Sequence, residues 1–142
     1  MPSIGYLDVF LRLGAAVLAG AIIGFDREIR EKPAGLRTLT LVSLGSAVFT
    51  LTALDHAVDG SISRVIQGIV TGVGFLGAGT IIRGQTEHSV RGLTTAASIW
   101  LAAAIGVACA QAFWALVLSA SAFGLLVLAF EGIEARIKAR PH

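Results

Sequence analysis

Apolar and charged residues do not interleave along this chain; they alternate in blocks. Five apolar runs occupy residues 7–25, 39–54, 65–82, 93–110 and 112–130, and short segments between them hold most of the charges. Each run approaches the ~20 residues an α-helix needs to cross the hydrocarbon core of a bilayer. None alternates apolar and polar positions with the period of a barrel strand. The pattern predicts an all-α, polytopic membrane protein. It reads as one domain over residues 1–142, with five transmembrane helices in a compact, glycine-rich bundle. The second run is the shortest and carries Ser43, Ser46, Thr50 and Thr52, so it is expected to face other helices. Only Ala110-Gln111-Ala112 divides the fourth run from the fifth, which predicts a tight helical hairpin.

Composition points the same way. Apolar residues make up 55% of the chain and charged residues only 14%, whereas about a quarter of a soluble domain is charged. The mean hydropathy is +0.81, so lipid is the expected solvent. Glycine is abundant, at 17 residues, and proline rare, a combination that suits closely packed membrane helices. The single cysteine, Cys109, excludes an internal disulfide and a multi-cysteine metal site. His56 and His88 lack metal-ligand spacing, and His142 is terminal. No Ser/His/Asp set, HExxH motif or paired carboxylate at depth is present, so an enzyme is not expected. Nothing suggests a nucleic-acid partner or a cofactor.

The charges orient the bundle. Arg27, Arg30, Lys32, Arg37, Arg83, Arg91, Arg136, Lys138 and Arg140 fall on one side, nine of the eleven basic residues. Basic loops stay cytoplasmic, which predicts an outside N-terminus and a cytoplasmic C-terminus. The opposite side carries Arg12, Arg64 and the acidic loop Asp55-His56-Ala57-Val58-Asp59. The first span has Asp8 in place of a basic leader and is expected to be retained. The tail EGIEARIKAR is expected to prolong the fifth helix as an amphipathic turn or two, its basic residues suited to anionic headgroups.

Within the third run, residues 71–84 read TGVGFLGAGTIIRG, and Gly72, Gly74 and Gly77 spell G-x-G-x-x-G. That fingerprint marks a dinucleotide site only between a strand and a helix. Here it sits in a long apolar run, with alanine about twenty residues on, so a membrane-helix role is expected. Gly68 and Gly72 share one helix face, as do Gly20 and Gly24 in span one, and the two pairs are natural packing partners. Alternatively, Gly74, Gly77 and Gly79 loosen the helix so that freed carbonyls line a cavity.

Three blocks carry a family resemblance: GAIIGFDREIREKPAGLRTLTLVSLGSAVFTL (20–51), RVIQGIVTGVGFLGAGTIIRG (64–84) and VRGLTTAASIWLAAAIGVA (90–108). Together, in this order and spacing, they resemble the MgtC/SapB family. The resemblance implies a bacterial inner-membrane protein linked to magnesium homeostasis and stress adaptation. Its better-known members are thought to modulate other inner-membrane proteins, the F-type ATP synthase among them. A magnesium-transport ATPase label cannot describe this chain's own activity, because it has no G-x-x-x-x-G-K-[ST] loop. Many members add a C-terminal ACT-like domain; this sequence ends just past span five and reads as a short form. Some virulence-linked members have asparagine where Thr94 stands here, so virulence roles transfer least.

Candidate functional residues gather at the basic side. Asp26, Arg27 and Glu28 end span one and Arg37 begins span two, close enough for the four charges to pair across the junction. They read either as structural anchors or, with Arg91, as the lining of a cytoplasmic-side cavity for an ion or partner. Asp26 and Arg30 are i,i+4 neighbours that can pair locally, and so are Asp8 and Arg12. Thr94 and Thr95 follow Arg91-Gly92 as candidate helix caps, or as part of an anion site beside Arg91. Gln67 and Thr71 are polar at bilayer depth and are expected to hydrogen-bond between helices more readily than to bind a substrate.

Two functions follow: a non-enzymatic regulator of other membrane proteins, or a small transporter or channel for Mg²⁺ or H⁺. No carboxylate sits near the middle of a span, where proton relays and cation pathways usually place one, so the regulator is favoured. Magnesium association stays open. Five short spans enclose little volume alone, which leaves a homo-oligomer in view.

Overall fold

The computed structural model describes residues 4–55, 60–83 and 90–138. His56, His88, His142, Gly84 and Arg140 lie outside the described residues. Five helices follow the five apolar runs: α1 (Tyr6–Ile29), α2 (Leu36–Asp55), α3 (Ser61–Thr80), α4 (Leu93–Ala110) and α5 (Trp114–Lys138). The first four are long and apolar enough to cross a membrane, and α5 opens with the apolar segment Trp114–Phe130 before its charged end. Between α3 and α4 the sequence reading missed a small feature. Strands β1 (Ile82–Arg83) and β2 (Val90–Arg91) pair antiparallel, Ile82 opposite Arg91 and Arg83 opposite Val90.

Helix α4 is the centre and packs against all four others. Over half of its spanning window, 56%, is buried, against 11% for α3. Its composition explains the difference: Ala102, Ala103, Gly106, Ala108 and Ala110 present little side chain, so neighbours approach its backbone. Gly106 rests on the Ser43 carbonyl of α2, leaving no room for a Cβ. The second helix is polar because it is internal: Ser43, Ser46 and Thr50 are all buried. Ser43 donates across to the Ala16 carbonyl of α1 at 2.8 Å, and Thr50 donates back to Ser46 at 2.8 Å.

The Gly20/Gly24 pair serves close packing, but its partner is α2 and not α3. A Cβ on Gly20 would stand 2.9 Å from the Leu39 oxygen, and one on Gly24 would stand 2.7 Å from the Leu36 Cα. The short α1–α2 connection dictates this, because it folds α2 directly back along α1. Helix α3 is continuous through its glycines, which excludes a broken helix in this structure. A Cβ on Gly77 would stand 3.4 Å from the Ala96 Cβ of α4, whereas one on Gly68, Gly72, Gly74 or Gly79 would meet no neighbouring element within 4 Å.

The turns are built from backbone bonds. The α1 terminus closes with Lys32 N–H donating to the Arg27 carbonyl at 3.1 Å, and Glu31 adopts φ 53°. The α4–α5 hairpin closes with Phe113 N–H donating to Ala108 at 3.0 Å, with Ala112 at φ 56°. Arg12 reinforces this end, donating from Nη1 to the Ala110 carbonyl and from Nη2 to Asp8, both at 2.6 Å. A cation on the last carbonyls of α4 also complements the helix dipole.

Candidate functional site

Where α1 ends and α2 and α4 begin, consecutive charged residues diverge because helical positions turn by about 100° per residue. Asp26 pairs along its own helix with Arg30, at 3.0 Å. Arg27 turns inward, is fully buried, and donates from Nη2 to the Thr95 hydroxyl of α4 at 3.2 Å. Glu28 reaches over the turn and accepts the Leu36 N–H at 2.9 Å, capping α2. Gly35 lies flush beneath that carboxylate, which a Cβ would strike.

The expected four-charge pairing across the junction is therefore not what forms. Arg37 and Arg91 are exposed and make no ion pair with another described residue. None of the five charged candidates lines the four grooves described below. Nor, among the described residues, do three His, Cys, Asp or Glu side chains converge as a metal site would need. The threonine caps are also replaced. Helix α4 starts at Gly92, at φ 92°, with no side-chain cap bond. Glycine is required there because a Cβ would enter the Thr80 carbonyl of α3. Thr95 is committed to Arg27, and Thr94 is half-buried beside α5.

Gln67 and Thr71 do not bond across to a neighbouring helix of the bundle. Both are exposed on α3, and Thr71 donates to the Gln67 carbonyl of its own helix at 2.9 Å. Sequence periodicity missed this because α3 packs chiefly on α2 and α4 and leaves a wide face outward.

Among the described residues, four apolar grooves open between neighbouring helices, and three of them border α3. The groove between α2 and α3 encloses about 660 Å³ and includes Gly45, Ser46, Gly68 and Gly72 in its wall. On the other flank of α3, two grooves of about 170 and 310 Å³ meet at Trp100 of α4, which is half exposed. A fourth, about 340 Å³, separates α4 from α5. Nothing in the sequence singled out Trp100, and Ser46 stood out there only as one of the polar residues expected to turn α2 toward other helices; the positions of neighbouring helices place both at grooves.

A bundle of apolar helices fitted together on glycine and alanine defines a multi-pass helical membrane protein. Residues 13–135 match the model of the MgtC family, and the chain belongs to that family. It is 42% identical over 140 residues to Protein SrpB of Synechococcus elongatus, covering 90% of this chain and 77% of that one. It is 50% identical over 99 residues to Protein MgtC of Salmonella typhimurium, covering 70% of this chain and 42% of that one. Protein MgtC of Brucella abortus is 48% identical over 97 residues, 68% of this chain and 40% of the relative. The match to these MgtC proteins thus spans less than half of their length. No solved structure matches the chain.

Proposed function

We propose that this protein is a non-enzymatic regulator of other membrane proteins and acts by helix contact within the bilayer. The observation that carries this reading is the outward placement of the grooves. Two buried polar side chains, Ser43 and Arg27, are tied into the bundle, to Ala16 and Thr95, while the grooves themselves open sideways. The flank of α3 and α4 suits a partner helix: Gly74 and Ala78 are small, and Trp100 stands between them and the adjoining groove. Small residues admit a neighbouring backbone, and tryptophan is a frequent interface anchor.

Likeness to proteins named MgtC supports extending this reading to magnesium homeostasis and stress adaptation in a bacterial inner membrane. On that reading the F-type ATP synthase is a candidate partner, the N-terminus is outside and the C-terminus is cytoplasmic. The test pairs growth with flux. A Gly74→Leu variant fills open space, so it should keep wild-type abundance yet fail to restore growth of a deletion strain in low magnesium. Purified protein in liposomes should carry neither Mg²⁺ nor H⁺. Robust flux that depends on Asp26 would overturn the proposal in favour of a transporter.

A further inference from the structure

Helix α3 is the least buried of the four spanning helices, with 11% of its window covered. Its outward ridge is not purely apolar. Gln67, Thr71, Gly74 and Ala78 all stand exposed along it. Gly74 follows Gln67 by seven residues, and Ala78 follows Thr71 by seven, so the four share one side of the helix. Thr71 spends its hydroxyl on the Gln67 carbonyl of its own helix. The Gln67 side-chain amide makes no bond with a described residue.

Depth gives that amide its weight. Helix α3 runs 20 residues, Ser61–Thr80, enough to cross the hydrocarbon core. Gln67 lies ~9 Å from its start, at 1.5 Å per residue. An amide held there against acyl chains forfeits the hydrogen bonds that water would give it. In membrane bundles glutamine recovers them by bonding across to another helix. The bundle's own helices do not supply that bond, because Gln67 lines none of the grooves that α3 forms with α2 and α4.

A second copy of the chain supplies what one copy lacks. All copies insert with one orientation, so a two-fold axis relating two of them runs along the bilayer normal. Two α3 helices then meet in parallel, and each ridge residue faces its own counterpart at equal depth. An amide suits that arrangement, because it carries both a carbonyl acceptor and N–H donors. Two Gln67 side chains can therefore donate to each other reciprocally. The seven-residue recurrence keeps one ridge facing a parallel neighbour across a shallow left-handed crossing. A Cβ on Gly74 would meet no neighbouring element within 4 Å, and Ala78 is nearly as small, so backbones can approach closely there. Arg64 continues the ridge into the first turn of α3 and is exposed. Like charges at that end place the crossing deeper, at Gly74 and Ala78.

We infer that α3 is the seam of a homodimer, in which Gln67 of each copy bonds Gln67 of the other and the helices cross at Gly74 and Ala78. The pairing itself does not depend on the regulatory reading. Gly74 and Ala78 also belong to the proposed regulatory contact, so, resting on that reading, the homodimer is the resting form and a partner helix displaces the second copy.

Single-cysteine variants in a Cys109→Ala background test the seam in native membranes. Thr71→Cys should cross-link into a dimer of this chain on mild oxidation. Leu76→Cys, on the flank of α3 toward α2, and Leu118→Cys, on the exposed face of α5, should not. Energy transfer between labelled chains diluted in liposomes measures the association itself. Gln67→Leu keeps the bulk and removes both bonds, so it should weaken association roughly tenfold, about threefold per bond. Gln67→Asn keeps an amide and should recover most of that loss. Absence of a Thr71→Cys dimer, equal cross-linking at Leu76→Cys or Leu118→Cys, or a Thr71→Cys product that contains a different protein would overturn the inference. So would wild-type association of Gln67→Leu. Growth in low magnesium tests the regulatory reading separately: Gln67→Leu, with Gly74 and Ala78 intact, should restore it where Gly74→Leu does not. Lost association together with lost growth in Gln67→Leu would overturn the homodimer's assignment as the resting form.

Discussion

Arg27 and Thr95 join the end of α1 to the first turn of α4, 68 residues away in sequence, through a 3.2 Å hydrogen bond buried on both sides. A hydrogen bond to a charged group contributes about 1.5–3 kcal/mol when its partner is not lost to water. Thr95→Val keeps the shape and removes the acceptor, so it should lower unfolding stability by about 2 kcal/mol in detergent micelles. Thr95→Ser, which restores the hydroxyl, should recover most of that loss. Equal stability of Thr95→Val and wild type would show that the bond contributes little.

The glycines divide by what surrounds them, and alanine substitutions should divide likewise. At Gly106 a Cβ would run into the Ser43 carbonyl. A backbone atom yields poorly, so Gly106→Ala should destabilise by about 1–3 kcal/mol, the usual range for overpacking. A Cβ on Gly14 of α1 would meet no neighbouring element within 4 Å. Gly14→Ala should therefore stabilise by about 0.5–1 kcal/mol, because alanine loses less backbone freedom in a helix. Thermal unfolding of the two variants in one detergent decides the matter, and the signs should be opposite.

Helix existence was legible in the sequence because lipid imposes a length and a composition on every span. The boundaries of α4 agree with the apolar run, while α1 extends past it through Asp26-Arg27-Glu28 to Ile29. Charges at a membrane surface do not stop a helix; the Pro33-Ala34-Gly35 turn follows soon after. Side-chain direction was less legible. The Gly20/Gly24 spacing announced close packing but could not name α2 as the partner. The same spacing at Gly68 and Gly72 faces a groove. Arg27 resembled its charged neighbours in sequence, yet one step around the helix buries it. Glu28 looked like part of a charge cluster and serves as the cap of α2.

That cap has its own consequence. Glu28 accepts the Leu36 N–H at 2.9 Å across the turn, where Leu36 begins α2. Losing a side-chain cap typically costs about 0.5–2 kcal/mol. Glu28→Ala should cost about 1 kcal/mol in detergent unfolding, and Glu28→Gln, which keeps an acceptor oxygen, distinctly less. Faster hydrogen exchange at residues 36–39 in Glu28→Ala would locate the change at the helix start. If exchange there stays at the wild-type rate, the cap does not hold α2.

Asp26 separates function from folding more cleanly than any other charge at this end. It pairs with Arg30 at 3.0 Å, and the two side chains remain 24% and 29% exposed. Partly solvated i,i+4 pairs contribute only about 0.3–0.5 kcal/mol, so Asp26→Asn should leave stability and membrane abundance near wild type. On the reading that the charges at this end receive an ion or a partner, it should nevertheless fail to restore growth of a deletion strain in low magnesium. Arg30→Gln breaks the same pair and keeps the carboxylate. Growth with Arg30→Gln and none with Asp26→Asn would assign the role to the carboxylate itself. Failure of both would assign it to the pair, and normal growth of Asp26→Asn would remove Asp26 from the functional set.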